Sequence, residues 1–168
     1  MGNLDVTIRK ATEDDAGQVL RYLKRLGGES DNLSFGNEGI GIPLEKEKEY
    51  LKAMSGDDSC MYFAFKGEEV VGCAELSRGR RRMEHRAEMS IGILRSVWGT
   101  GLSMRLFSLL REWALSHGVS KINLEVREDN LRAKAFYAKL GFHREGATSR
   151  LFRIDGTYAN GEYWGLEL

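Results

Sequence analysis

The sequence predicts a single α+β domain, residues 1 to 168, with a mixed, mostly antiparallel central sheet of about six to seven strands flanked by about four helices. Three observations carry that prediction. Short segments with two-residue alternation are interleaved with stretches whose apolar residues recur at helical spacing. The order strand, helix, strand, helix from 87 to 140 demands a parallel pairing inside a set otherwise joined by hairpins. A chain of 168 residues can also bury ~70% of the surface it would expose unfolded, enough for a self-sufficient core.

The elements follow in order. DVTIRKA (5 to 11) alternates as a first strand, and Thr12 with Asp15 forms a capping-box-like start to a helix reaching about Leu26, where Gly27 and Gly28 are expected to stop it. Residues 29 to 43 are polar, glycine-rich and aperiodic, which predicts a long loop of the kind that often carries function. A short helix, LEKEKEYLKAM, comes next. CMYFAF (60 to 65) and VVGCAEL (70 to 76) flank a KGEE turn as a hairpin, and AEMSIGIL (87 to 94) extends it into a meander. Leu102, Leu106, Leu109, Leu110 and Trp113 share one helical face, ended by Gly118. VSKINLEV is a further strand, Asn130 opens a helix bearing Ala133, Phe136, Tyr137 and Leu140, and a hairpin around Asp155-Gly156 closes the chain.

Charge excludes several function classes. Twenty-five basic residues balance twenty-five acidic ones, so no overall field favours nucleic acid or an anionic membrane as partner. The run RGRRR (78 to 82) reads first as a solvated hairpin tip, second as an anchor for a phosphate or an acidic partner; a nucleic-acid binder built on it would lack a stacking platform. MGNLDVTIRK has no apolar core of signal-peptide length, and no uninterrupted apolar run reaches the ~18 residues that span a bilayer, so a cytoplasmic protein is expected. Cys60 and Cys73 lie in apolar strands without a CxxC spacing, as buried free thiols would. His85, His117 and His143 are scattered, and no metal site is expected.

The chemistry-bearing feature is VWGTGLSMRLFSLL (97 to 110), where Gly99 and Gly101 stand at the mouth of a helix. A helix amino terminus offers unpaired N–H groups and a partial positive charge, a phosphate site if side chains do not obstruct it. Glycines permit φ > 0 and close approach; Thr100 and Ser103 add small hydroxyl donors. The turn lacks the lysine of a P-loop, and Met104 stands where a dinucleotide fingerprint needs a third glycine.

Residues 93 to 146 as a whole resemble the GNAT superfamily of acyl-CoA-dependent N-acetyltransferases. The resemblance rests on the strand from Ile91 to Leu94, the turn WGTGLS, the helix to His117, INLEV, Asn130 and the phrase YAKLGF (137 to 142) in that order. Trp98 is similar to its counterpart in the branch containing ribosomal-protein and small-amine acetyltransferases. The resemblance implies a sheet splayed around a coenzyme A site. The pyrophosphate would lie on the amides of Trp98, Gly99, Thr100, Gly101, Leu102 and Ser103, the pantetheine arm would run beside Ile91, Ile93 and Leu94, and Asn130 would contact the coenzyme as well as cap its helix. It further implies transfer of an acetyl group from acetyl-CoA to a primary amine, of a small molecule or a peptide terminus, by direct attack in a ternary complex. The backbone N–H near Ile93 would polarise the thioester and Tyr137 would protonate the departing thiolate.

For the base, alternation puts Glu88 on one strand face with Ser90 and Gly92, where it would hold or deprotonate the amine; Glu125 and Glu75 compete for that role. A non-catalytic coenzyme-binding regulatory domain of the same fold is the rival reading. A homodimer is allowed, since the terminal strands offer an interface.

Overall fold

Seven strands form one sheet in the computed structural model, which describes residues 5–54 and 58–168. Residues 1–4, part of the amino terminus read above for a leader, lie outside the described residues. The strands are β1 (Thr7–Arg9), β2 (Ser59–Lys66), β3 (Glu69–Arg78), β4 (Arg86–Ile93), β5 (Lys121–Arg127), β6 (His143–Ile154) and β7 (Thr157–Glu167), and the helices are α1 (Ala16–Glu29), α2 (Leu44–Ala53), α3 (Leu102–Ser116) and α4 (Leu131–Lys139). The sheet order is β1-β2-β3-β4-β5-β7-β6. Every neighbouring pair is antiparallel except β4 with β5, which the α3 crossover makes parallel. The predicted architecture is thus the observed one.

The chain enters α1 through a one-turn 3-10 helix, Glu13–Asp15. The Thr12 amide donates to Asp15 Oδ2 at 2.7 Å, and the Arg9 guanidinium donates to both Asp15 oxygens at 2.7 and 2.9 Å. The entrance is therefore fixed by charge-assisted bonds. At its other end α1 departs from the sequence reading: Gly27 and Gly28 do not stop it, and it runs on to Glu29. The reason is packing. A Cβ on Gly27 would collide with the Gly36 carbonyl, so the glycine lets the loop backbone cross directly over the helix.

Helices cover both faces of the sheet. A Cβ on Gly72 would meet Leu102 of α3, whereas one on Gly92 would meet Leu26 and Tyr22 of α1. Gly72 is registered with Ile93, the neighbour of Gly92, so the two glycines point to opposite faces. On the α3 side, Leu102, Leu106 and Leu110 are essentially buried with Leu76, Ile122 and Leu124, each contributing about 2 kcal/mol by removal from water. Asn130 Oδ1 accepts from the Ala133 amide at 3.2 Å, the cap expected for α4. Asp155 and Gly156, at φ 48 and 81, turn β6 into β7. No helix of the described residues is long and apolar enough to cross a membrane.

Candidate active site

Pairing between β4 and β5 covers only Arg86↔Lys121, Ala87↔Ile122 and Glu88↔Asn123. Beyond Glu88 the two strands part. The Gly79 amide donates to the Arg86 carbonyl and the Leu94 amide to that of Val71, so even-numbered residues of β4 direct their backbone groups at β3 and odd-numbered ones toward β5. Ile91 and Ile93 therefore present N–H and C=O groups to a gap where no strand meets them. This half-buried edge is open to a strand-like partner. The gap widens into a cleft of about 910 Å³, walled by residues 89–93 of β4, 125–127 of β5, the start of α4 and the loop after α1.

The cleft's outer end is the glycine turn. Leu94 leads into a 3-10 turn, Arg95–Val97, which uses the Trp98 amide in a bond to the Arg95 carbonyl at 3.1 Å. The run of amides without an acceptor therefore starts one residue later than the sequence reading placed it. Gly99 and Gly101 have φ of 76 and 81 with open space where a Cβ would stand. The first bond of α3 runs from the Arg105 amide to the Gly101 carbonyl at 3.2 Å. The amides of Gly99, Thr100, Gly101, Leu102 and Ser103 have no acceptor among the described residues. Thr100 is not a hydroxyl donor to the cleft, because its Oγ1 bonds the Val97 carbonyl at 2.7 Å and locks the turn.

Other residues singled out by sequence divide cleanly. Ile91, Ile93, Trp98, Gly99, Ser103, Asn130 and Tyr137 line the cleft. Leu94 and Leu102 are buried in the core, and the Leu94 amide is occupied by Val71; their side chains do not reach the cleft, because both anchor the turn from beneath. Glu88 is not among the lining residues: its side chain is 59% exposed and paired with Arg86 at 2.9 Å. Glu125, two residues past the last registered pair on β5, lines the cleft with no partner among the described residues. Glu75, registered with Ser90, is held by Ser77 Oγ at 2.9 Å one strand further in.

Tyr137 packs between Phe136 and Phe142, with ring centroids 5.7 and 5.9 Å away. Burial pushes its phenol up to about 12, so the hydroxyl carries its proton at neutral pH. The phenol is thus a donor, not a base.

Sequence reasoning missed the arginines. Arg95, Arg127 and Arg132 line the cleft, while the run 78–82 lies on the turn between β3 and β4, away from it. Arg132 stacks on the Trp98 ring at 3.8 Å, and Trp98 Nε1 donates to the Ile93 carbonyl at 2.9 Å. The indole therefore braces the turn against β4. Arg127 Nη1 donates to the Asp31 carbonyl at 2.9 Å, and the Glu29 carboxylate accepts from the Arg95 amide at 2.7 Å, tying the predicted loop to both walls. The position of Arg132, two residues past the cap of a helix facing the glycine turn, was the available signal. No group of three or more His, Cys, Asp or Glu side chains among the described residues could hold a metal ion.

Comparison with known proteins bears on this geometry. A family model described as acetyltransferase (GNAT) family matches residues 32–142. The N-alpha-acetyltransferase RimI of Mycobacterium tuberculosis is 37% identical over 94 residues, 55% of this chain and 58% of that protein. A streptothricin acetyltransferase of Escherichia coli is 33% identical over 99 residues, 56% of this chain and 54% of that protein. The chain thus matches a little over half the length of these relatives. The crystal structure of an acetyltransferase of the GNAT family from Streptococcus pneumoniae superposes with a TM-score of 0.91 at 27% identity, covering 98% of this chain and 100% of the other.

Proposed function

The chain belongs to the acetyltransferase (GNAT) family, and from that premise we propose that it is an N-acetyltransferase moving an acetyl group from acetyl-CoA to a primary amine. One observation carries the reading: a row of amides at Gly99 to Ser103, without acceptors among the described residues, opens onto a cleft bordered by β4 backbone that no strand pairs, and that cleft ends at a protonated phenol. The amides and the α3 dipole suit a pyrophosphate. The Ile91 and Ile93 backbone suits the amides of a pantetheine arm, which would complete the sheet where β5 has left it.

In the proposed reaction the neutral amine attacks the thioester carbon. The developing oxyanion is held by the Ile93 N–H, a C–N bond replaces the C–S bond, and the thiolate takes the Tyr137 proton as it leaves. The attacking nitrogen loses its proton to a carboxylate or to water. Glu125 suits that role better than Glu88, since it lines the cleft with no partner among the described residues while Glu88 is outside it and paired with Arg86. A carboxylate there also attracts the ammonium form of the acceptor. The relatives are named for an alpha-amine and for streptothricin, and both a peptide terminus and a small cationic amine suit this cleft.

The test is purified protein with acetyl-CoA, a panel of amines and peptides, and a thiol reagent. Amine-dependent release of coenzyme A is the expected result. Saturable binding without release for any acceptor would support the non-catalytic reading instead.

A further inference from the structure

Tyr22 is an unexplained polar group in an apolar place. It lies mid-helix in α1, 3% exposed, with its hydroxyl 2.8 Å from the Gly92 carbonyl oxygen. Phenylalanine would fill the same space without the cost of burying a hydroxyl. The strand has also been altered to admit it: a Cβ at Gly92 would fall 3.0 Å from the Tyr22 hydroxyl and 2.6 Å from Leu26 Cδ2. Glycine inside a strand is destabilising, and such a position marks close approach by another group.

The atom that Tyr22 reaches is informative. Gly92 is even-numbered in β4, so its carbonyl points at β3 and Cys73, away from the cleft. The same peptide unit carries the Ile93 N–H at its other end, pointing into the cleft. A carbonyl accepts two donors, and the β3 ladder supplies only one. The Tyr22 hydroxyl is the second. Donation to a carbonyl draws electrons through the peptide and strengthens its N–H as a donor, the cooperative effect of hydrogen-bond chains in a low-dielectric setting.

We propose that Tyr22 is a positioning residue for catalysis: by bonding the Gly92 carbonyl it orients and polarises the Gly92–Ile93 peptide, making the Ile93 N–H a stronger donor to the thioester oxygen. This rests on the acetyltransferase reading above. Burial holds the phenol's pKa well above its ordinary value, so it remains a donor across the working pH range.

The experiment compares wild type with Tyr22→Phe, and with protein carrying 3-fluorotyrosine at position 22 alone, whose phenol is a stronger donor. The readouts are the infrared stretch of bound acetyl-CoA labelled with ¹³C at the thioester carbonyl, and steady-state kinetics. In Tyr22→Phe the carbonyl band should move to higher frequency and kcat should fall about tenfold, with KM for acetyl-CoA within about twofold. The fluorinated protein should move the band to lower frequency. Val19→Ala, which loosens the packing of α1 without touching the hydroxyl, should lower the melting temperature and leave the band in place. An unmoved band in both Tyr22→Phe and the fluorinated protein would overturn the proposal. If wild type binds acetyl-CoA but transfers no acetyl group, the enzymatic reading fails; the band comparison still decides whether Tyr22 acts on the peptide.

Discussion

In the proposed reaction single residues carry the chemistry, and their roles separate by substitution. Tyr137→Phe removes one hydroxyl from a ring whose packing against Phe136 and Phe142 is retained. Turnover should fall ~10²-fold while acetyl-CoA affinity, measured by calorimetry, changes little; equal loss of both would make the tyrosine structural. Glu125→Gln should cost about tenfold or more in kcat/KM for amines, whereas Glu88→Gln should stay within about twofold, since Glu88 faces solvent beside Arg86. The place of Tyr137 at the cleft was legible in the sequence because YAKLGF carries it. The choice between Glu88 and Glu125 was not. Both side chains lie on one sheet face, and only the divergence of the strands after Glu88↔Asn123 puts one at the cleft and leaves the other outside.

Elements set where those residues stand. The glycine turn joins a 3-10 turn to α3 through two left-handed residues, a path that side chains resist by roughly 1–2 kcal/mol per position. Gly101→Val should therefore weaken acetyl-CoA binding at least tenfold in calorimetry while the protein still folds, because the added branch would stand over the free amides as well as strain the turn. The end of α1 teaches a different lesson. Two consecutive glycines normally announce a stop, yet Gly27 continues the helix because the Gly36 carbonyl passes where its side chain would be. Gly27→Ala should lower the melting temperature by several degrees despite the better helix propensity of alanine, as followed by circular dichroism. The wrong boundary arose because local sequence reports propensity and cannot report a neighbour 9 residues away in the chain.

At the scale of the whole molecule, two carboxylates contribute to the pH profile of stability in opposite ways, one held down by a paired arginine and the other pushed up by burial. The Arg9 guanidinium holds Asp15 down to about 2, so its contribution is complete above the unfolded value near 4 and is lost as pH falls from there toward 2. Asp15→Asn should cost on the order of 1 kcal/mol at pH 7, discounted for the exposed arginine, and almost nothing at pH 2. Glu47 is 2% exposed, its Oε2 lacks a partner among the described residues, and burial raises its pKa, so it favours the folded state at low pH and opposes it as pH rises. Glu47→Gln should raise the melting temperature above pH 7 relative to wild type, with the gain shrinking toward pH 4 in a differential scan. The sequence by itself determined the element order, the glycine turn, the capping residues and the phenol, since each is written in local periodicity or in a short conformational demand. Only the tertiary structure decided that β4 and β5 pair for three residues and then part, that Glu125 rather than Glu88 meets the cleft, and that arginines from three separate elements converge there. Those facts depend on where strands diverge and which backbone groups remain unpaired, and that is settled by packing across the whole sheet.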